Sequence, residues 1–446
     1  MERDKMRYLS PDKIIINKPE SLMVFKDVNI IPMDQEGIIK HQNVFIQNGV
    51  IKKILNAGEE SIPREAIYIN GSKGKYLIAG LADMHVHIVH SNDLLLFISK
   101  GITTVRNMGS FYAGKYHFHL RLKNKVNNQE VIGPQIYTAG SMLCGSTSMI
   151  PLICKQLKTK DDIRRVILKE KQAGYDFIKI HDGLSLAQYS DVLRIAHESG
   201  MDVAGHLPDE VTLNSALNLR QRSIEHLMGY INAFKDDWVI KKDEIDQYIR
   251  TTKEHDVWNC PTMISFQRIQ SFKRSIEFEE EDELKLVPPL ARWLWRYFTW
   301  KRDREGEKKG YKYPQKCLPY VKETIQKLYE ANCNLLLGTD THLPYIIPGF
   351  ATHRELENLV SCGISPYQAL KTATYNAAKF LNKLDEFGTV SEGKRADLIL
   401  LDQNPLDNIH NMKTQLGVMV NGRWITQISI ENILQEIRNH YRLSII

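Results

Sequence analysis

The chain has 446 residues, 43% of them hydrophobic and 25% charged, which is enough to bury a large core in more than one domain. Its net charge of +6 is spread over 59 basic and 53 acidic residues, so nucleic-acid binding is not indicated. No stretch is apolar enough to span a bilayer, and the charged start "MERDKMRYLSPDK" lacks the apolar run of a secretion signal, so a cytoplasmic protein without membrane contact is expected.

The first 75 residues read as short alternating strands, "SLMVFKDVNII", "NVFIQNGVIKKIL" and "AIYINGSKGKYLI". The last 60 residues return to that style with "FGTVSEGKRADLILLD", "LGVMVNGRWI" and "TQISI" before a closing helix. One small β-sandwich domain assembled from residues 1–75 and 385–446 is therefore expected. Between them, apolar runs alternate with amphipathic stretches such as "DDIRRVILKEKQAG" and "LAQYSDVLRIAHESG", the rhythm of βαβ units on a parallel sheet. Starting from "KYLIAGLADMH" the strand candidates are "GITTVR", "GPQIYTAG", "YDFIKI", "MDVAGH", "RSIEHL", "DVWNCPT" and "CNLLLGTD". Eight strands over residues 76–384 predict a (β/α)8 TIM barrel, an α/β fold. Residues 263–320 break the rhythm with charge runs and aromatics, and read as a helical insertion, either solvated or a lid over the barrel mouth.

Six cysteines, Cys144, Cys154, Cys260, Cys317, Cys333 and Cys362, include no Cys-x-x-Cys pair. That spacing argues against a zinc ribbon or a redox dithiol, and they read mostly as buried small hydrophobes.

The C-terminal ends of barrel strands carry active sites in this fold. His85 and His87 end strand one, Lys179 lies on strand four, His206 ends strand five, His226 strand six and Asp340 strand eight. With 15 histidines in the chain, a His-x-His pair arises by chance roughly half a time, so the pair alone says little. Two apart on an extended strand, however, both rings share one face and can share one ion. His206 and His226 sit on adjacent strands, where neutral imidazoles suit zinc and related divalent metals. An inward Lys179 between cations is anomalous, because its ammonium would be repelled.

This pattern resembles the binuclear subtype of the amidohydrolase superfamily, in which the lysine is carboxylated by carbon dioxide to a bridging carbamate. The resemblance implies that His85, His87 and Asp340 hold one divalent ion, that His206 and His226 hold the other, with zinc the expected metal, and that carboxylated Lys179 and a hydroxide bridge them. "YLIAGLADMHVH", "FGTVSEGKRADLILLD" and "SPYQALKTATYNAAKFLN" extend the similarity over nearly the whole chain. "TTVRNMG", "VWNCPT" and "GTDTH" are similar to segments of the group near imidazolonepropionase that includes the Xaa-Pro, prolidase-like dipeptidases. It implies hydrolysis of an amide C–N bond by the bridging hydroxide, with Asp340 moving the proton from water to the leaving nitrogen.

Tyr230 in "EHLMGY" is a candidate oxyanion donor and substrate contact, with a packed aromatic as the alternative. Arg106 could clamp a substrate carboxylate or form a structural salt bridge, and His181 and His342 are candidate substrate contacts. His90 and Arg354 read as non-ligands. In "SMLCGSTSMIPL" the chain lacks the Gly-Gly-His type of loop that many related dipeptidases carry after strand three, which puts peptide specificity in doubt.

The substrates expected are a dipeptide, Xaa-Pro in type, or an N-acyl amino acid, with a cyclic amide or lactone as the alternative. A mononuclear nucleobase-type deaminase is the next reading. Such relatives place a glutamate three residues after the fifth-strand histidine, where this chain has Asp209, and a bridging lysine would have no use there. A non-catalytic scaffold is opposed by six filled ligand positions. The partner expected is a small-molecule substrate, and a homo-oligomer is the base expectation.

Overall fold

The computed structural model describes residues 20–109, 117–148, 150, 152–231, 242–269, 276–309 and 317–443. The charged N-terminal segment, two stretches of the insertion and residues 149 and 151 lie outside these residues.

The N-terminal runs form β1 (Met23–Ile31), β2 (Ile39–Gln47), β3 (Val50–Asn56), β4 (Ile67–Asn70) and β5 (Tyr76–Ala79). Between β2 and β3 the dipeptide Asn48-Gly49 takes φ of 53° and 75°, the two left-handed positions of a type I′ hairpin turn.

The chain then enters a parallel sheet. Its strands are β6 (Leu81–Val86), β7 (Ile102–Asn107), β8 (Gln135–Cys144), β10 (Phe177–Ile180), β11 (Asp202–Gly205), β12 (Ser223–Glu225), β13 (Trp258–Cys260) and β14 (Asn334–Leu335), with the short β9 (Lys155–Gln156) beside β8. Each of the eight apolar runs supplies one of these strands, and they pair in chain order. The seam between first and last is hydrogen-bonded: the Met84 amide donates to the Leu337 carbonyl at 2.9 Å and the Asp340 amide to the His85 carbonyl at 2.8 Å. The result is a TIM barrel. Its amphipathic helices begin at polar caps, as where Thr159 accepts from the Asp162 amide and Ser185 from the Gln188 amide.

The C-terminal strands β15 (Leu398–Leu401), β16 (Gln415–Val420) and β17 (Arg423–Thr426) return to the first sheet, in the order β17-β16-β15-β5-β1-β2-β3 with β4 beside β1. Strands from both termini thus form one continuous sheet. One of its faces buries Phe25, Leu77, Leu398, Met419 and Trp424, as the alternation of apolar residues requires.

The insertion is helical where described, with α-helices Met263–Arg268, Pro289–Lys309 and Leu318–Glu330 and two short 3₁₀ turns. It is fastened to the segment after β14. The buried Glu355 carboxylate accepts from the amides of Met263 and Ile264 at 2.6 and 2.7 Å, and Arg354 pairs with Glu281 and Glu283. Trp295 packs 5.7 Å from the Tyr345 ring, centroid to centroid. Among the described residues no helix is long and apolar enough to cross a membrane.

Candidate metal centre

Strand ends converge on one buried cluster. His85 and His87 place their Nε2 atoms 3.3 and 3.4 Å from Asp340 Oδ1, and the three residues offer ligand atoms within 4.8 Å of one another. His226 Nε2 lies 3.8 Å from the other oxygen, Oδ2. The His226 ring is 4.6 Å from that of His85 and 5.0 Å from that of His206, centroid to centroid. His206 stands next to His181 at 4.2 Å.

The backbone is bent to aim these groups. His226, Thr262 and Asp340 all adopt left-handed φ, of 58°, 49° and 62°, a conformation that costs non-glycine residues energy and tends to collect at functional sites. Gly338, in "LLLGTD", is required by space, since a Cβ there would stand 2.3 Å from Cys260 Sγ and 2.8 Å from His85 Cβ.

Ring orientation is fixed from behind. Nδ1 of His85 faces Glu225 Oε2 at 2.7 Å, Nδ1 of His87 the Gly109 carbonyl at 3.1 Å, and Nδ1 of His226 the Thr262 hydroxyl at 2.6 Å. Burial keeps three of these imidazoles uncharged: it pulls His87 down to about 4, His226 to about 3, and His206 well below its ordinary value. Burial opposes ionisation of Asp340, but its contacts with the His226, His85 and His87 rings outweigh it and hold the carboxylate well below its usual range.

Lys179 is 1% exposed, and its Nζ has no hydrogen-bond partner among the described residues. Burial lowers it to about 8. Its charge bears on His206 and, to a smaller degree, on His226 and His87. Imidazoles held from behind, an ionised carboxylate and an orphaned buried amine form a donor set lacking a partner of its own, which fits divalent cations.

The amidohydrolase family pattern matches residues 76–425, which spans all of these residues. The chain belongs to the amidohydrolase family. Among curated amidohydrolase-like relatives, it is 21% identical over 421 residues to the 5-methylthioadenosine/S-adenosylhomocysteine deaminase of Caldanaerobacter subterraneus subsp. tengcongensis, covering 86% of this chain and 85% of that protein. It is 20% identical over 441 residues to the ochratoxinase of Aspergillus niger, covering 85% and 81%. Among solved structures, bottromycin amidohydrolase superposes with a TM-score of 0.75 at 23% identity, covering 95% of this chain and 91% of that one. A Xaa-Pro dipeptidase with bound methionine in its active site gives 0.70 at 19%, covering 91% and 100%. At these identities the superpositions show the shared fold.

Within this amidohydrolase, two expected substrate contacts are corrected. Arg106 does not reach the mouth. It is fully buried, with Nε donating to the Met84 carbonyl at 2.5 Å, Nη1 to Ser223 Oγ at 2.8 Å and Nη2 to Glu225 Oε1 at 2.8 Å. The structural salt bridge is the reading that holds, because all three nitrogens are engaged inside the barrel. Tyr230 is the packed aromatic. It is 2% exposed and its hydroxyl bonds to Thr252, which itself donates to the Tyr248 carbonyl, so the tyrosine must be the donor and its proton is taken.

His342 is buried with Nε2 2.9 Å from Asp93 Oδ2, an ion-pair distance without hydrogen-bond alignment. His181 holds Asp182 through Nδ1 at 2.9 Å and stays beside His206. His90 stands apart from the cluster, its amide donating to Asp93. Sequence reading missed Glu225 and Cys260, which with His85 form a second group of ligand atoms within 4.8 Å. Glu225 immediately precedes His226, but nothing in "SIEHL" links it to His85, 140 positions earlier. Also missed was a disulfide, Cys144–Cys154, closing the loop after β8. In that loop Ser148 donates to the same Asp182 oxygen that His181 faces, at 2.5 Å.

Proposed function

We propose that this amidohydrolase holds two divalent ions, His85, His87 and Asp340 taking one and His206 and His226 the other, with Lys179 carboxylated between them, and that it cleaves an amide C–N bond. The observation that supports the reading is Lys179, a buried amine without a hydrogen-bond partner among the described residues, whose charge acts on His87 of one position and His206 of the other. Carboxylation needs a neutral amine, and burial favours that form. It turns an unfavourable cation into an anion where cations are wanted.

When bound, such ions, with zinc the natural first choice for histidine donors, would supply Lewis acidity toward a carbonyl and acidify water. The chain's own task is then positioning and proton transfer. Asp340, with one oxygen toward His85 and His87 and the other toward His226, is placed to take a proton from the attacking water and return it to the leaving nitrogen. With Tyr230 and Arg106 committed elsewhere, His181 and His342 are the remaining candidate contacts for substrate.

Names among the structural neighbours, a Xaa-Pro dipeptidase and bottromycin amidohydrolase, support a dipeptide or an N-acyl amino acid as substrate, with a cyclic amide as the alternative. The deaminase relative supports deamination as the second reading, and a one-ion site for it would leave Lys179 without a role. The Cys144–Cys154 bond weighs against the cytoplasmic expectation, since such bonds persist mainly in oxidising compartments. The test is a screen of dipeptides, N-acyl amino acids and cyclic amides with protein loaded with zinc in bicarbonate, alongside elemental analysis. About two ions per chain and release of free amine support the proposal; one ion with ammonia released from a purine ring overturns it.

A further inference from the structure

Arg106, Ser223 and Glu225 form a closed triangle of hydrogen bonds in the barrel interior. Ser223 Oγ accepts from Arg106 Nη1 at 2.8 Å and donates to Glu225 Oε1 at 2.5 Å, while Arg106 Nη2 donates to that same oxygen at 2.8 Å. All three residues are fully buried. The guanidinium lies over the Phe380 ring at 4.8 Å. A buried ion pair is a poor source of stability, because desolvating both charges offsets most of their attraction. Its retention at the barrel centre calls for another role.

The other carboxylate oxygen supplies one. Glu225 Oε2 is aimed at Nδ1 of His85 at 2.7 Å. Three of the clustered histidines have a visible partner behind the ring, and the partners differ in charge: a carboxylate for His85, a backbone carbonyl for His87 and a hydroxyl for His226.

We propose that Glu225, clamped by Arg106 and Ser223, is a positioning residue that fixes His85 with its proton on Nδ1 and its Nε2 lone pair toward the ion, making the position of His85, His87 and Asp340 the tighter of the two. A carboxylate behind a ligating imidazole fixes the tautomer and strengthens the donor more than a neutral partner does. The charge asymmetry among the three rings therefore becomes an asymmetry in metal affinity. Arg106 keeps the carboxylate from rotating, because both of its oxygens are then used. The inference rests on the two-ion reading for its comparison of positions.

The test is metal affinity. Metal-free protein and Glu225→Gln protein are titrated with Co2+ against a competing chelator, with bicarbonate present. For the wild type two steps are expected; in the variant the tighter step weakens about 10- to 100-fold while the weaker one moves less than about threefold. Glu225→Gln leaves Arg106 without its partner and is at risk of misfolding, so Arg106→Met/Glu225→Gln, which removes both charges, is run in parallel and should show the same selective weakening. Histidine side-chain 15N spectra of the unsubstituted protein need no variant, and should contain a neutral ring protonated at Nδ1 with a strongly hydrogen-bonded proton. Unchanged affinities in a folded variant, equal weakening of both steps, or a spectrum with only Nε2-protonated rings would overturn the role of Glu225. Wild-type protein that takes up a single ion would instead overturn the two-ion reading.

Discussion

Replacing Lys179 by methionine separates stability from function. In the unfolded chain the lysine keeps its ordinary value of 10.5, whereas in the fold burial brings it to about 8. Between those two values the unfolded state binds more protons, so stability rises with pH across that window, and the penalty is fully present below about pH 8. The difference corresponds to roughly 3 kcal/mol at neutral pH in metal-free protein without bicarbonate. Methionine fills similar space without the charge, so Lys179→Met should raise the unfolding free energy of the metal-free protein at pH 7 by up to about 3 kcal/mol, with the gain shrinking above pH 8. At pH 7.5 about a quarter of the wild-type amine is neutral, against about one in a thousand for an unperturbed lysine, so carboxylation should be readily reached and should increase toward pH 8. The assays are urea denaturation of chelated protein at pH 7 and 9, metal content after zinc loading, and a 13C spectrum with labelled bicarbonate. A variant that is less stable at pH 7, or that retains both ions and normal turnover, would refute the reasoning at its root.

Asp340→Asn should still bind substrate but turn it over about 10²- to 10⁴-fold more slowly, measured as kcat at saturating substrate; an unchanged kcat removes Asp340 from proton transfer. Tyr230→Phe should leave kcat within about twofold and lower stability by about 1 kcal/mol, the worth of its bond to Thr252, whereas a hundredfold loss of kcat would restore it as an oxyanion donor. Cys144→Ser/Cys154→Ser, or treatment with a dithiol, frees the loop whose Ser148 holds Asp182, and should lower stability by about 2 to 3 kcal/mol and raise KM more than it lowers kcat. Matching melting curves with and without the dithiol would show that the bond does not form in solution.

The barrel was legible because each strand is a short apolar run of its own and pairs with its sequence neighbours, so local composition and order suffice to place it. The cluster of His85, His87, Lys179, His206, His226 and Asp340 was legible for a related reason: the fold places every strand's C-terminal end at one mouth, so residues far apart in sequence need only share that position. What lies one layer behind depends on which side chains meet across the barrel. Arg106 ends its strand as a clamp would, yet its direction is decided by Ser223 and Glu225, more than a hundred positions later. Tyr230 is claimed by Thr252 on the following helix. Cys144 and Cys154 are ten residues apart, a spacing that carries no signature, and only the return of the chain through β9 beside β8 brings them together.

The choice between amide hydrolysis and deamination turns on what each position asks of its residues. A one-ion site needs its histidines and Asp340, and gains nothing from an amine that must be desolvated among them. It also needs a carboxylate near the fifth-strand histidine to move protons, and the candidate three residues on, Asp209, is exposed while His206 is drawn in beside His226. A two-ion site reverses both points, because the desolvated lysine becomes the group that is easiest to carboxylate and Asp340 is already within reach of rings from both positions. The deaminase likeness is one of the whole chain, and it is the proposed two-ion arrangement at the barrel mouth that distinguishes amide hydrolysis from it.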